Sequence, residues 1–192
     1  TTFEKKGGDA QKAPGRTKTR DSVVRTPTIQ YANQIEDTPD WLLEENLGEF
    51  SPKAKFFLEN VRHSKGCSFI YSRFVPVGAL SIALALEANG YTLYGTDTGR
   101  GLLEGGPLGG KGRQCAMCPE REKGHTGHPF IAAKYVLLTG VSELSPNNET
   151  SIQAQRRPEN KDGSIVKIVI GSQVAGEGID LKFIREIYIF DS

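Results

Sequence analysis

The sequence predicts a three-layer α/β fold around a mainly parallel sheet, and three observations lead there. Lys167 to Ile170 and Glu186 to Phe190 are short apolar runs rich in β-branched and aromatic residues, the composition of strands covered on both faces. Segments of helical periodicity alternate with such runs, as in parallel sheets joined by crossover helices. Between the last two runs lie Ser172, Gln173, Gly176, Glu177, Gly178 and Asp180. Small, hydrogen-bonding and acidic groups thus follow the carboxyl end of a strand, where open α/β sheets bind ligands.

The elements follow in order. Residues 1 to about 28 are polar and interrupted by glycine and proline, which predicts a linker, and the whole stretch 1–48 reads as a flexible tail. Trp41, Leu42 and Leu43 would dock that tail onto the domain or serve as a partner anchor. Ser51 can cap a helix, Pro52 suits its first turn, and Ala54, Phe57, Leu58 and Val61 recur at helical spacing. Gly66 ends that helix, and Cys67 to Tyr71 reads as a buried strand. Val77 to Asn89 reads as a second helix stopped by Gly90. Tyr91 to Tyr94 and Tyr135 to Leu138 read as strands flanking a glycine-rich insertion at about 95–130. Ser151 to Arg157 predicts a short helix before a turn at Asn160 to Gly163, so the folded domain is expected over 49–192.

Bulk properties exclude several classes. No apolar run approaches the roughly 20 residues that cross a bilayer, and the first 20 residues lack the apolar core of a secretory signal, so the expected location is intracellular, with no membrane partner. Three cysteines in 192 residues do not make a disulfide framework. A net charge of +1 by itself argues for no polyanionic partner, but residues 1–30 carry seven basic side chains while 31–52 carry six acids and no Lys or Arg. The two segments could attract each other, or the first could lie along phosphates.

Two cysteines and two histidines fall within fourteen residues, as Cys115, Cys118, His125 and His128. Cys-x2-Cys is a common zinc half-site, and thiolate with imidazole is the preferred donor set of a tetrahedral structural ion. The short connection predicts a knuckle, with Gly124 and Gly127 letting the backbone fold round the metal. The competing reading is a polar loop with reduced thiols and surface histidines.

SPKAKFFLENV, GCSFIYSRF and NKDGSIVKIVIGSQVAGEGIDLKFIREIYIFD together resemble the second RecA-like domain of superfamily two helicases, above all the helicases and transcription-associated ATPases of large DNA viruses. The resemblance covers about residues 49–94 and 134–192. It implies that Ser72 and Arg73, at the end of the FIYS strand, contact nucleic-acid phosphate, as do Ser172 and the pair Thr139 and Gly140. It further implies that Gly178 and Asp180 approach ATP, the carboxylate meeting ribose hydroxyls. Hydroxyls and backbone N–H groups suit such a role because they hold phosphates without reading sequence. On the loop alone, a tight turn at Gly176 and Gly178 with Glu177 and Asp180 as solvated helix caps fits equally.

Departures from the family pattern matter as much. Gly105 to Lys111 imitates a phosphate-binding loop, but Gly112 stands where the magnesium-binding hydroxyl belongs, and no strand leads in. An arginine-bearing motif is expected beyond Ser192. The resemblance therefore implies the C-terminal half of a longer ATP-dependent helicase or translocase, inactive alone. ATP and magnesium would be held mainly by an N-terminal RecA-like partner domain, and the track would be DNA or RNA. Two alternatives are a zinc-stabilised nucleic-acid-binding or adaptor module without motor activity, and a nucleotide-sugar domain, against which the FIYS element counts.

Overall fold

The computed structural model describes residues 40–96, 101–103, 112–142, 144–173 and 178–191. The tail 1–39, the Gly105 to Lys111 segment and loop residues Gly176 and Glu177 lie outside them. Five strands, β1 (Cys67–Tyr71), β2 (Thr92–Leu93), β3 (Lys134–Leu138), β4 (Ile168–Gly171) and β5 (Ile184–Ile189), form one sheet in the order β2-β3-β4-β1-β5. Every pairing is parallel, with Phe69 opposite Val169 on one side and Ile187 on the other. All five carboxyl ends therefore share one edge.

Helices cover both faces. On one side α1 (Glu44–Phe50), α2 (Pro52–Val61) and α3 (Leu80–Ala88) bury Leu47, Phe57, Leu58 and Leu86 against Ile70, Tyr135 and Ile168. Full burial of each such side chain is worth about 1.5–3 kcal/mol. On the other side α4 (Asn148–Arg156) packs Ile152 and Ala154 over Cys67, Val136, Leu138 and Val169. The Ser51 hydroxyl accepts from the Ala54 N–H at 3.3 Å, the predicted cap, and Pro52 opens α2.

Four expectations change. The boundary drawn at residues 48/49 falls inside α1, and Leu42 and Leu47 belong to the core, so the folded unit reaches back to Asp40 at least. Asn89 makes that docking specific: its amide donates to the Leu42 carbonyl at 2.8 Å and its oxygen accepts the Glu44 N–H at 3.1 Å. Leu102 and Leu103 are also core residues, so the insertion expected to be ordered by its metal-type ligands is tied to the domain by apolar burial. In addition, β5 is an edge strand, and its residues alternate between half-buried and exposed. Ile187 and Ile189 face outward, so this strand is covered on one face only among the described residues.

The helix expected from Val77 opens instead with a π-helical turn, Val75–Ala79. Gly78 explains the tight entry. A Cβ there would sit 1.8 Å from the Ser72 hydroxyl, so only glycine lets this turn close over the end of β1.

Candidate functional site

The carboxyl edge gathers most of the residues singled out from sequence. Thr139, Ser172 and Ser72 directly follow β3, β4 and β1, which are neighbours, and Asp191 lies just beyond β5. Backbone bonds stitch these ends together: the Ser172 N–H donates to Leu138 O and the Ser72 N–H to Gly171 O, both at 3.0 Å.

The hydroxyls themselves point inward. Ser72 is 0% exposed, and its single hydroxyl proton is shared between the Asp191 carboxylate at 2.7 Å and Phe74 O at 3.0 Å. Thr139 is buried, and its hydroxyl is shared with Ser145 at 2.8 Å and with the Val141 backbone. Ser172 is 2% exposed. Direct phosphate contact by the Ser72 and Thr139 hydroxyls is therefore not open in this conformation, because both are consumed in holding the strand ends. What the edge offers outward is Arg73, Gly140 and Gln173, one from each of the three loops. The Arg73 guanidinium lies over the exposed Phe74 ring, 4.7 Å from its centroid, beside a cavity of about 620 Å³ lined also by Tyr71, Val77 and Asp191.

Gly178 and Asp180 are exposed in the loop after β4, and Gly178 adopts φ +78°. The Lys182 ammonium pairs with Asp180 at 2.7 Å and holds its carboxyl below the ordinary range. α4 positions this loop from beneath. The Gln155 side chain donates to Lys182 O and accepts its N–H, while Arg156 donates to Asp180 O at 2.5 Å. Gln155 and Asp191 were not singled out from sequence, since their roles come from partners 27 and 119 residues away.

A separate constellation sits in the insertion. The ligand atoms of Cys115, Cys118, His125 and His128 all lie within 4.8 Å of one another. Buried Gln114 anchors the turn by donating to the carbonyls of Cys118 and Glu120, both at 3.1 Å, and the Met117 N–H points at the Cys115 sulfur at 3.4 Å. His128 Nδ1 faces Pro129 O at 2.9 Å, so a proton there leaves Nε2 as the ligating lone pair. Gly124 and Gly127 both take φ +91°. Two thiols and two imidazoles brought this close fit a tetrahedral ion with no open position.

The insertion is fastened to the domain through another residue that sequence reading missed. Glu87, buried in α3, accepts from Leu102 N at 2.8 Å, Leu103 N at 2.7 Å and the Tyr135 hydroxyl at 2.6 Å. Burial raises its carboxyl above the ordinary value against these three donors. A Glu in an apolar helix was the available signal. Among the described residues no helix is long and apolar enough to cross a membrane.

Comparison with known proteins points in one direction. The chain is 30% identical over 167 residues to a protein of Acanthamoeba polyphaga mimivirus named for ATP-dependent RNA helicase activity, covering 77% of this chain and 14% of that one. It is 30% identical over 172 residues to a termination factor NPH-I homolog of African swine fever virus, covering 85% and 24% respectively. An early transcription factor large subunit homolog of the same virus is 28% identical over 143 residues, covering 72% and 12%. The chain thus spans less than a quarter of the length of these curated relatives. No family model matches it, and no solved structure does.

Proposed function

This chain is a helicase-like domain of the kind carried by proteins of large DNA viruses, and from that premise we propose that it is the C-terminal RecA-like half of an ATP-dependent nucleic-acid motor. The observation that carries the reading is the shared carboxyl edge of β3, β4 and β1, with Arg73, Gly140 and Gln173 exposed along it. A cationic side chain and loop backbone N–H groups suit a phosphate backbone followed without regard to sequence. Ser72 and Thr139 then act as positioning residues, fixing the loops that carry those groups. Gly178 and Asp180 sit one loop away, where the carboxylate can leave Lys182 for ribose hydroxyls when an N-terminal RecA-like domain closes over ATP and magnesium. Closure and reopening would shift one domain's strand contacts relative to the other's, giving net movement along DNA or RNA.

The four-ligand knuckle is assigned to zinc. Its role in this scheme is structural, holding the insertion against the sheet.

The test is fluorescence anisotropy of the 192-residue chain with single-stranded oligonucleotides of unrelated sequence. Binding should be sequence-independent, weaken with salt, and fall about tenfold in Arg73→Glu, consistent with loss of a charge-assisted contact. Sequence-selective binding, or binding indifferent to Arg73, overturns the assignment of the edge. A second reading, a zinc-stabilised binding or adaptor module, is favoured by the internal use of the Ser72 and Thr139 hydroxyls. Joining the chain to the ATP-hydrolysing domain of a viral relative separates the two, because only the motor gains nucleic-acid-stimulated ATP turnover.

A further inference from the structure

The amino edge of the sheet, opposite the rim, holds a cavity of about 600 Å³ where β1 and β4 begin. Lys65, Lys161, Lys167, Arg185 and Asp162 line it, and Ala116 and Met117 of the knuckle form one wall. Four cations thus meet one carboxylate. Among the described residues none of the four takes part in an ion pair.

Lys167 is the unusual member. It is 2% exposed, and its ammonium donates to a neutral acceptor, the Ser64 carbonyl, at 2.6 Å. The acids within electrostatic reach are Glu186 and Asp162, with the thiols of Cys67 and Cys115. Both carboxylates are engaged elsewhere. Glu186 accepts from Ser68 at 3.2 Å and Tyr188 at 2.8 Å, and Asp162 accepts the Ser164 N–H at 3.1 Å. Burial lowers the Lys167 ammonium below its ordinary value despite those acids. Among the described residues it bonds a neutral carbonyl and no carboxylate, so an anion entering the cavity would offset the cost of its charge.

Glycines bring the walls together. Gly66 (φ +104°) and Gly163 (φ +80°) take conformations that L side chains rarely adopt. A Cβ at 163 would lie 2.6 Å from Gly66 O, and one at 66 would lie 2.5 Å from Arg185 Cγ. The two turns therefore pack backbone to backbone while aiming the cations into the gap.

We propose that this cavity binds a phosphate group, with Lys167 as the buried countercharge and Lys65, Lys161 and Arg185 as an outer ring. Its volume exceeds a lone phosphate, so it admits the phosphodiester of a nucleic acid or the phosphates of a free nucleotide. The site lies at the opposite end of the strands from Arg73 and does not rest on the reading given to the rim.

Titration of ¹⁵N-labelled chain with pyrophosphate and, separately, with a short single-stranded oligonucleotide tests it, read at the Gly66 and Gly163 amides. Saturable shifts are expected. Shifts with the oligonucleotide identify a nucleic-acid backbone as the source, and shifts with pyrophosphate alone identify a free anion. The exposed pair Lys161→Glu with Arg185→Glu should abolish the shifts, while Arg73→Glu leaves them intact. If the oligonucleotide is the ligand, the double variant also lowers the salt slope of binding by about 1.4, the value for two phosphate contacts on a single strand. A milder pair, Lys65→Gln with Arg185→Gln, serves if the charge reversal unfolds the chain. Absence of shifts with both probes, or shifts that survive both variants, overturns the proposal.

Discussion

The knuckle and the carboxyl-edge rim are built in opposite ways. Fourteen consecutive residues supply all four ligands of the knuckle, and their donor atoms converge within 4.8 Å. The rim draws on loops after four strands, and its central bond joins Ser72 to Asp191 across 119 positions. Short turns at Gly124 and Gly127, both at φ +91°, bring the local constellation together. The rim instead spends the Ser72 and Thr139 hydroxyls on scaffolding and leaves Arg73, Gly140 and Gln173 exposed.

If the knuckle is a metal clip, breaking it should have the largest effect on stability. Cys118→Ser removes a thiolate from a four-ligand set, and metal binding in such sites is folding free energy. We expect zinc content to drop from about one ion per chain to none. A loss on the order of 5 kcal/mol would lower Tm by about 10–20 °C. Elemental analysis and thermal melts check this, and unchanged zinc content in Cys118→Ser would show that another group holds the ion.

Next comes the apolar and polar anchoring of the same insertion. Glu87→Ala leaves two backbone N–H groups and the Tyr135 hydroxyl without their acceptor, costing about 2–4 kcal/mol, while zinc content stays intact. Glu87→Gln should be milder and diagnostic in pH. Burial holds this carboxyl above its ordinary value, so the folded chain keeps a proton that the unfolded chain releases. Its contribution is therefore fullest below the ordinary carboxylate value and declines as pH rises through the raised one. Denaturant melts from pH 4 upward should show that decline in the parent and lose it in Glu87→Gln.

The same contrast decides what was legible in the sequence. The Ser51 cap, the helical spacing of Ala54, Phe57, Leu58 and Val61, and the convergence of the four metal-type ligands all depend on neighbours a few residues apart, and each is present. Glu87 depends on Leu102, Leu103 and Tyr135, up to 48 residues away, and its local mark, a Glu in an apolar helix, does not reveal those partners. The inward turn of Ser72 depends on Gly78 and Asp191 together, so a motif that names Ser72 does not reveal its exposure. The outward face of β5 was misread because apolar composition is shared by central and edge strands. Only sheet order separates them.

On the rim, Ser72→Ala tests the positioning role. It removes the hydroxyl that Asp191 and Phe74 O share as acceptors, which should cost about 1–2 kcal/mol. Oligonucleotide affinity should fall less than in Arg73→Glu, because the charge remains while its loop loosens. A loss in Ser72→Ala equal to that in Arg73→Glu would instead return the hydroxyl to direct contact.

The smallest stability effect is expected where the functional one is confined. Asp180 is fully exposed, and its pairing with Lys182 is the kind of surface contact that contributes little, so Asp180→Ala should leave the melting temperature unchanged. In the fusion with an ATP-hydrolysing domain, the same change should raise the KM for ATP about tenfold, as expected for losing a charge-assisted bond to ribose, with kcat little altered. Lys182→Ala separates ligand contact from loop structure: it frees Asp180 without removing it, so the KM should hold steady or fall. A KM that rises equally in both variants would mean that the pair merely shapes the loop, with Gln155 and Arg156 beneath it, and that the ribose is held elsewhere.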